Sequence, residues 1–262
     1  MNKNWKENLA EKLWQARIRA KPCSPLTETN PELTIADAYV ISELNFKKRL
    51  TQTAVKSIGK KIGLTSHAVQ KQLGVDQPDF GNLTSDMLLT SGASVKTNIL
   101  ISPKIEGEVA FVLKKDLQGP NLSSKDVIAA TDYIIPCIEI IDSRIANWKI
   151  KIQDTIADNA SSAFFVIGDQ PCDIKCLENL ENAKMELHIN DILKSEGKGV
   201  ACLDHPLNAV TWLANALSQY NVSLRAGEII LSGAFGPVVP VIAGDHCTVR
   251  IETLGTVSCA FV

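Results

Sequence analysis

The reading of SPKIEGEVAFVL, residues 102–113, decides the fold. Ile105, Val109, Ala110, Phe111, Val112 and Leu113 make an apolar run with the β-branched content of a buried strand. Glu106 and Glu108 interrupt it, and in a strand residues two apart point to the same side. Ionised carboxylates so placed repel one another, and burial adds to the cost. Either both reach water on a one-sided sheet, or a positive charge offsets them.

A third acid, Glu139, lies in YIIPCIEIIDSRI, residues 133–145, a second apolar run. Three glutamates from two strands are a candidate cage of hard oxygen ligands. Such a cage suits Mg²⁺ or Mn²⁺ and lacks the His and Cys that zinc prefers. His67, His188, His205 and His246 are dispersed, with no HxH or HxxxH spacing. On the residues alone, the solvent-facing alternative stays open.

The rest of the chain frames this site. A chain of 262 residues can bury a substantial core. Lys+Arg 27 against Asp+Glu 29 gives no electrostatic reason for a nucleic-acid or membrane-surface partner. No apolar run approaches the roughly 20 residues of a membrane span. The opening MNKNWKENLAEKLWQARIRA mixes acids and bases, unlike a secretory signal, so a cytoplasmic location is expected. The seven scattered cysteines are then expected as free thiols. Cys172 and Cys176 have no second pair or neighbouring His to make a zinc site.

Trp5, Leu9, Leu13 and Ala16 share one face of a predicted N-terminal helix. A loop precedes a second helix, TIADAYVISELNFKKRL, with Thr34 as N-cap and Asp37 at its third position. VKSIGKKIGLTS reads as strand and turn, HAVQKQLG as a short helix ending at Gly74, and VDQPDFGNL as an irregular loop. Short strands are predicted at 99–102, 105–113, 134–142, 163–167, 185–189, 228–232, 238–242, 247–251 and 257–262. MELHINDILKSEG reads as a hairpin about Asn190 and Asp191. SSKDVIAATDY and HPLNAVTWLANALSQY read as inserted helices. The expected class is α+β: a small helical N-terminal part, residues 1–55, and a mainly β body with inserted helices, residues 56–262.

PKIEGEVAFVL together with IEIIDSRI resembles the metal-binding signature of the fumarylacetoacetate hydrolase superfamily. GKKIGLTSHAVQKQLGVDQPDFG, DTIADNASSAFFVIG, GVACLDHPLNAVTWLAN and AGEIILSGAFGPVVPVIAGD follow in order, from about residue 55 to the C-terminus. They are similar to the hydratase/decarboxylase family within that superfamily. The resemblance implies a mixed β-sandwich roll. It also implies that Glu106, Glu108 and Glu139 hold a divalent metal, Mg²⁺ or Mn²⁺. Alignment to Gly63-Leu64-Thr65-Ser66 selects Lys61 as the catalytic lysine, either a base with a depressed pKa or a carboxylate anchor, and leaves Lys60 solvated. Asp79 is implied as a catalytic acid on a mobile segment, and Leu73 and Ser161 as neighbours of the substrate.

The implied activity is metal-dependent addition of water to 2-hydroxypenta-2,4-dienoate (2-oxopent-4-enoate), giving 4-hydroxy-2-oxopentanoate in the meta-cleavage route of aromatic catabolism. The alternatives are 4-oxalocrotonate (2-oxohex-3-enedioate) decarboxylation and C–C bond hydrolysis. LSGAFGPVVP is similar to the hydratase form, and no histidine sits where a hydrolytic His–Glu pair would need it. The resemblance further implies a homo-oligomer, a pentamer or decamer, and association with a pathway decarboxylase.

Overall fold

The computed structural model describes residues 4–262, the side chains of Gln72 and Leu73 excepted. Helices α1 (Trp5–Ile18), α2 (Leu26–Thr29) and α3 (Ile35–Gln52) come first. Then follow β1 (Ser57–Gly63), α4 (His67–Leu73), β2 (Asp79–Thr84), β3 (Leu88–Thr90) and β4 (Ala93–Val95). The long strands β5 (Lys104–Leu113) and β6 (Thr131–Ile141) flank α5 (Ser124–Ala130). Next are α6 (Ile152–Ala157), β7 (Ser162–Ile167), β8 (Lys184–Ile189), β9 (Ile192–Lys198) and α7 (Pro206–Leu217). The chain ends with β10 (Ile229–Leu231), β11 (Val239–Pro240), β12 (His246–Ile251) and β13 (Gly255–Phe261).

Two mixed sheets result. One runs β2-β1-β10-β5-β6-β7-β3, with β11 added on β5; the other runs β4-β13-β12-β8-β9. The odd-numbered face of β5 carries Ile105, Val109, Phe111 and Leu113 into the main core, where Met185, Leu187, Val249 and Val257 of the second sheet meet them. This accounts for the glycine between the two acids. A Cβ on Gly107 would lie 2.9 Å from Val249 Cγ1 and 3.0 Å from Met185. Gly107→Ala is therefore expected to destabilise the protein by about 1–3 kcal/mol through overpacking, read as a lower urea midpoint with an unchanged m-value.

The helical start folds as its pattern predicts. Leu9, Leu13 and Leu26 pack with Ile41 of α3 and with Ile152 and Ile156 of α6. At the start of α3 the Asp37 N–H donates to Thr34 Oγ1 at 3.1 Å, and the Thr34 N–H donates to Asp37 Oδ2 at 3.3 Å. Asn190 and Asp191, with φ of 51° and 64°, form the turn of the β8–β9 hairpin.

Four expectations need correction. Residues 99–102 are not a strand: the Asp142 carboxylate accepts the N–H groups of Ile101 at 3.0 Å and Ser102 at 2.6 Å, which holds them in a bend. QPDFG is not a loop throughout, because Asp79 opens β2 opposite Gly63 of β1. Lys60 is not solvated but 6 % exposed. Cys172 and Cys176 form a disulfide rather than remaining free, with Cys176 inside the 3₁₀ turn Ile174–Leu177. No described helix is long and apolar enough to cross a membrane.

Candidate active site

Antiparallel register sets Glu106 of β5 directly opposite Glu139 of β6, and strand alternation puts Glu108 on the same face. One carboxylate oxygen from each lies within 4.8 Å of the others. Glu108 and Glu139 are 0 % and 1 % exposed, while Glu106 is half-buried in a cavity wall. The acids thus face each other inside the protein, and the solvent-facing alternative is excluded.

Neighbouring strands supply the remaining groups. Lys61, on β1, brings its Nζ to 3.1 Å from Glu139 Oε2 and donates to the Ala160 carbonyl at 3.0 Å. The Gly233 N–H donates to Glu108 Oε2 at 2.9 Å. A Cβ on Gly63 would collide with Asp79 Oδ1, so glycine there lets the acid fold inward. Among the described residues, Glu108 Oε1, Glu139 Oε1 and both oxygens of Asp79 are buried without a hydrogen-bond partner. Such orphaned oxygens are rare in native interiors and point to something that binds there.

The charges tell the same story. Burial, reinforced by Glu139, pushes Glu106 up to about 8; burial pushes Asp79 up to about 6 against the pull of Lys61. Burial, with its acidic neighbours, raises Glu108 well above the ordinary carboxylate range, and burial also raises Glu139 although Lys61 opposes it. Burial opposes the charge on Lys61, but Glu139, Glu106, Asp79 and Glu108 outweigh it and hold the ammonium above the ordinary lysine range. The depressed lysine expected from the sequence presupposes a cation beside it; in the metal-free cage the acids keep Lys61 charged. One ammonium cannot balance four acids. Oxygen-only donors, excess negative charge and unpartnered buried oxygens fit a hard divalent cation.

A pH prediction follows. Acids raised on folding bind more protons in the folded chain than in the unfolded one, so stability falls as pH rises. Without divalent metal, the urea midpoint is expected to drop between pH 5 and 8, the interval between the ordinary value of 4.5 for Glu106 and its folded value of about 8. Saturating Mg²⁺ is expected to flatten that slope and to release protons on binding, measurable by calorimetry in two buffers.

A cavity of about 570 Å³ opens over these groups. Lys61, Asp79, Glu106, Thr155 and Ser161 form its polar wall; Ala68, Val69, Ile150, Ala234, Phe235 and Val238 line the apolar remainder. Ser161 is placed there by three consecutive residues of positive φ, Asn159, Ala160 and Ser161. The buried Arg144 braces this turn, pairing with Asp158 and donating to the carbonyls of Asp142, Asp158 and Ser162. Leu73 ends α4, but its side chain lies outside the described residues.

Sequence reasoning missed four contributors: the Ala160 carbonyl, the Gly233 N–H, Thr155, and Trp148 in the cavity wall. Thr155 and Ala160 lie within DTIADNASS, and Gly233 within LSGAFG, so the blocks were visible although the individual roles were not. No histidine lines the cavity among the described residues.

The family description Fumarylacetoacetate (FAA) hydrolase C-terminal matches residues 43–262. The chain is 48% identical over 262 residues to the 2-hydroxyhexa-2,4-dienoate hydratase of Comamonas testosteroni, covering 99% of this chain and 98% of that protein. It is 44% identical over 261 residues to the 2-keto-4-pentenoate hydratase of Paraburkholderia xenovorans (strain LB400), covering 100% and 96%. Among solved structures, the 4-oxalocrotonate decarboxylase from Pseudomonas putida G7, complexed with magnesium and adipate, superposes with a TM-score of 0.95. The two are 37% identical, and the match covers 100% of this chain and 99% of that one.

Proposed function

Because the chain belongs to the fumarylacetoacetate hydrolase family, we propose that it is a metal-dependent hydratase, a carbon–oxygen lyase that adds water to 2-hydroxypenta-2,4-dienoate and yields 4-hydroxy-2-oxopentanoate. The observation that carries this reading is the cluster of Glu106, Glu108 and Glu139, with Lys61 on Glu139, beside a largely apolar cavity that Lys61, Asp79 and Glu106 line. The two relatives named above as hydratases support the reaction type. Glu106, Glu108 and Glu139 would hold Mg²⁺ or Mn²⁺, which supplies Lewis acidity toward the substrate's 2-oxygen.

The chain's own groups handle the protons. Ketonisation takes the proton from the 2-hydroxyl and places one on C5. Hydration then takes a proton from water as its oxygen bonds to C4, and places one on C3. Each stage needs an acceptor and a donor near the carbon chain. Asp79 is the acceptor in each stage and orients the water, Lys61 is the donor, and the proton gained by Asp79 returns to Lys61 after each stage, so that both groups are reset. Ser161 borders the carboxylate end, and the apolar wall receives the C5 end.

A decarboxylase would need a cation for a second carboxylate. Among the described lining residues the cations are Lys61, committed to Glu139, and the exposed Lys198, which shares the rim with Glu196. The absence of a lining histidine, among the described residues, argues against the hydrolase chemistry. Residues 56–262 act as one catalytic unit with residues 1–55 as its helical appendage, in a cytoplasmic homo-oligomer that associates with a pathway decarboxylase.

The test assays chelator-stripped and Mg²⁺-restored protein with freshly generated 2-hydroxypenta-2,4-dienoate and with 2-oxohex-3-enedioate, following ultraviolet absorbance and CO₂. Mg²⁺-dependent loss of the dienoate without CO₂ from the diacid supports the reading. CO₂ release as the faster reaction, or turnover indifferent to chelation, overturns it.

A further inference from the structure

We propose a second ligand site on the reverse side of β1, a pocket that binds a small planar monocarboxylate through Lys60 and Asn82. Successive strand residues face opposite ways, so Lys61 enters the active-site cavity while Lys60 enters a separate pocket of about 530 Å³. That volume lies within the range of small-molecule sites. Its walls are α3, the β1–β2 pair and the chain end of α7. Lys60 and Asn82 are register partners across β1 and β2, so their side chains stand beside each other on this face.

Lys60 is 6 % exposed, and its ammonium has no ion-pair or hydrogen-bond partner among the described residues. Glu43, the acid in the pocket wall, pairs with Lys47 at 3.3 Å. Burial draws Lys60 below the ordinary lysine range, with Glu228 and Glu43 opposing only from a distance. The Asn82 amide is likewise free of side-chain bonds among the described residues, since only its backbone engages Asn159. A desolvated cation beside an amide donor matches one carboxylate.

The rest of the pocket selects a flat apolar body. Tyr39 stacks on Phe80 at 4.4 Å between centroids, and Tyr220 stands 5.4 Å from Tyr39 and 6.0 Å from Phe80. With a single free cation among the described lining residues, the site favours a monoanion over a dianion.

The probe is benzoate, titrated calorimetrically into Mg²⁺-loaded protein, with 4-bromobenzoate soaked into crystals. Lys60→Met is expected to weaken benzoate at least ~10-fold, the worth of one charged hydrogen bond, while Glu106→Gln leaves its affinity unchanged. The carboxylate is expected on Lys60, with bromine density at the far end of the pocket beside Tyr39 and Tyr220. Should Lys60→Met fail to fold, Asn82→Leu carries the same expectation. Affinity lost in Glu106→Gln but kept in the Lys60 or Asn82 variant overturns the proposal, as does bromine only in the glutamate cage. So does absence of binding at millimolar benzoate, whether the pocket stays empty or a second copy of the chain covers it. None of these outcomes bears on the hydratase assay.

Discussion

Glu106→Gln is expected to lower kcat by about three orders of magnitude at saturating Mg²⁺, the equivalent of about 4 kcal/mol of transition-state stabilisation. The substitution keeps the shape of a side chain whose carboxylate meets those of Glu108 and Glu139 within 4.8 Å, and removes one of their charges. A hard divalent cation loses an anionic donor, so metal retained after gel filtration should fall in parallel. The folded protein should not suffer. Without metal, Glu106 is an acid held against burial and against Glu139, which together push it up to about 8. A neutral amide has no such penalty, so the metal-free variant should unfold at a higher urea midpoint than the wild type at pH 8, with a flatter dependence on pH. Lost turnover and lost metal in a more stable protein would be hard to ascribe to misfolding. A Glu106→Gln protein with ordinary Mg²⁺-dependent turnover would remove the cage from the mechanism.

The parts of the site that were legible in the chain are those encoded locally. The β5 run announces its own alternation, so the shared face of Glu106 and Glu108 follows from spacing, and Glu139 stands out because its strand is otherwise apolar. What stayed hidden depends on partners distant in sequence. Asp79 reads as a turn residue because Pro78 precedes it and Gly81 follows; its place in β2 is set by pairing with Gly63, and its orphaned carboxylate by the collapse of that pair over Lys61. Residues 99–102 have strand-like composition, yet Asp142 captures two of their N–H groups before a ladder can form. α6 is short and lacks a periodic stripe long enough to detect, although its Ile152 and Ile156 anchor the N-terminal helices and its Thr155 reaches the cavity. Lys60 and Lys61 are the sharpest case. Both are buried, and only the tertiary structure separates a lysine facing four acids from one facing an aromatic pocket.

Lys61→Met should separate proton transfer from metal binding. Lys61 is the internal cation of the cage, 3 % exposed and 3.1 Å from Glu139 Oε2. Removing one member of a buried pair leaves the other uncompensated, so the metal-free variant is expected to lose about 3–5 kcal/mol of stability. A divalent cation restores the missing positive charge, and most of that loss should be recovered at saturating Mg²⁺. The ammonium and the metal also compete for Glu139, so the variant should bind Mg²⁺ at least as tightly as the wild type. Turnover follows the opposite course: with the donor proposed for C5 and C3 gone, kcat should fall by about 10²–10⁴-fold. The pattern of metal kept and chemistry lost is the reverse of a ligand substitution, in which both disappear together. Calorimetric Mg²⁺ titration, chemical denaturation with and without metal, and kcat on the dienoate read the three quantities independently. A Lys61→Met protein that turns over normally would strip Lys61 of its role as proton donor. One that loses Mg²⁺ would make the lysine part of the metal site itself.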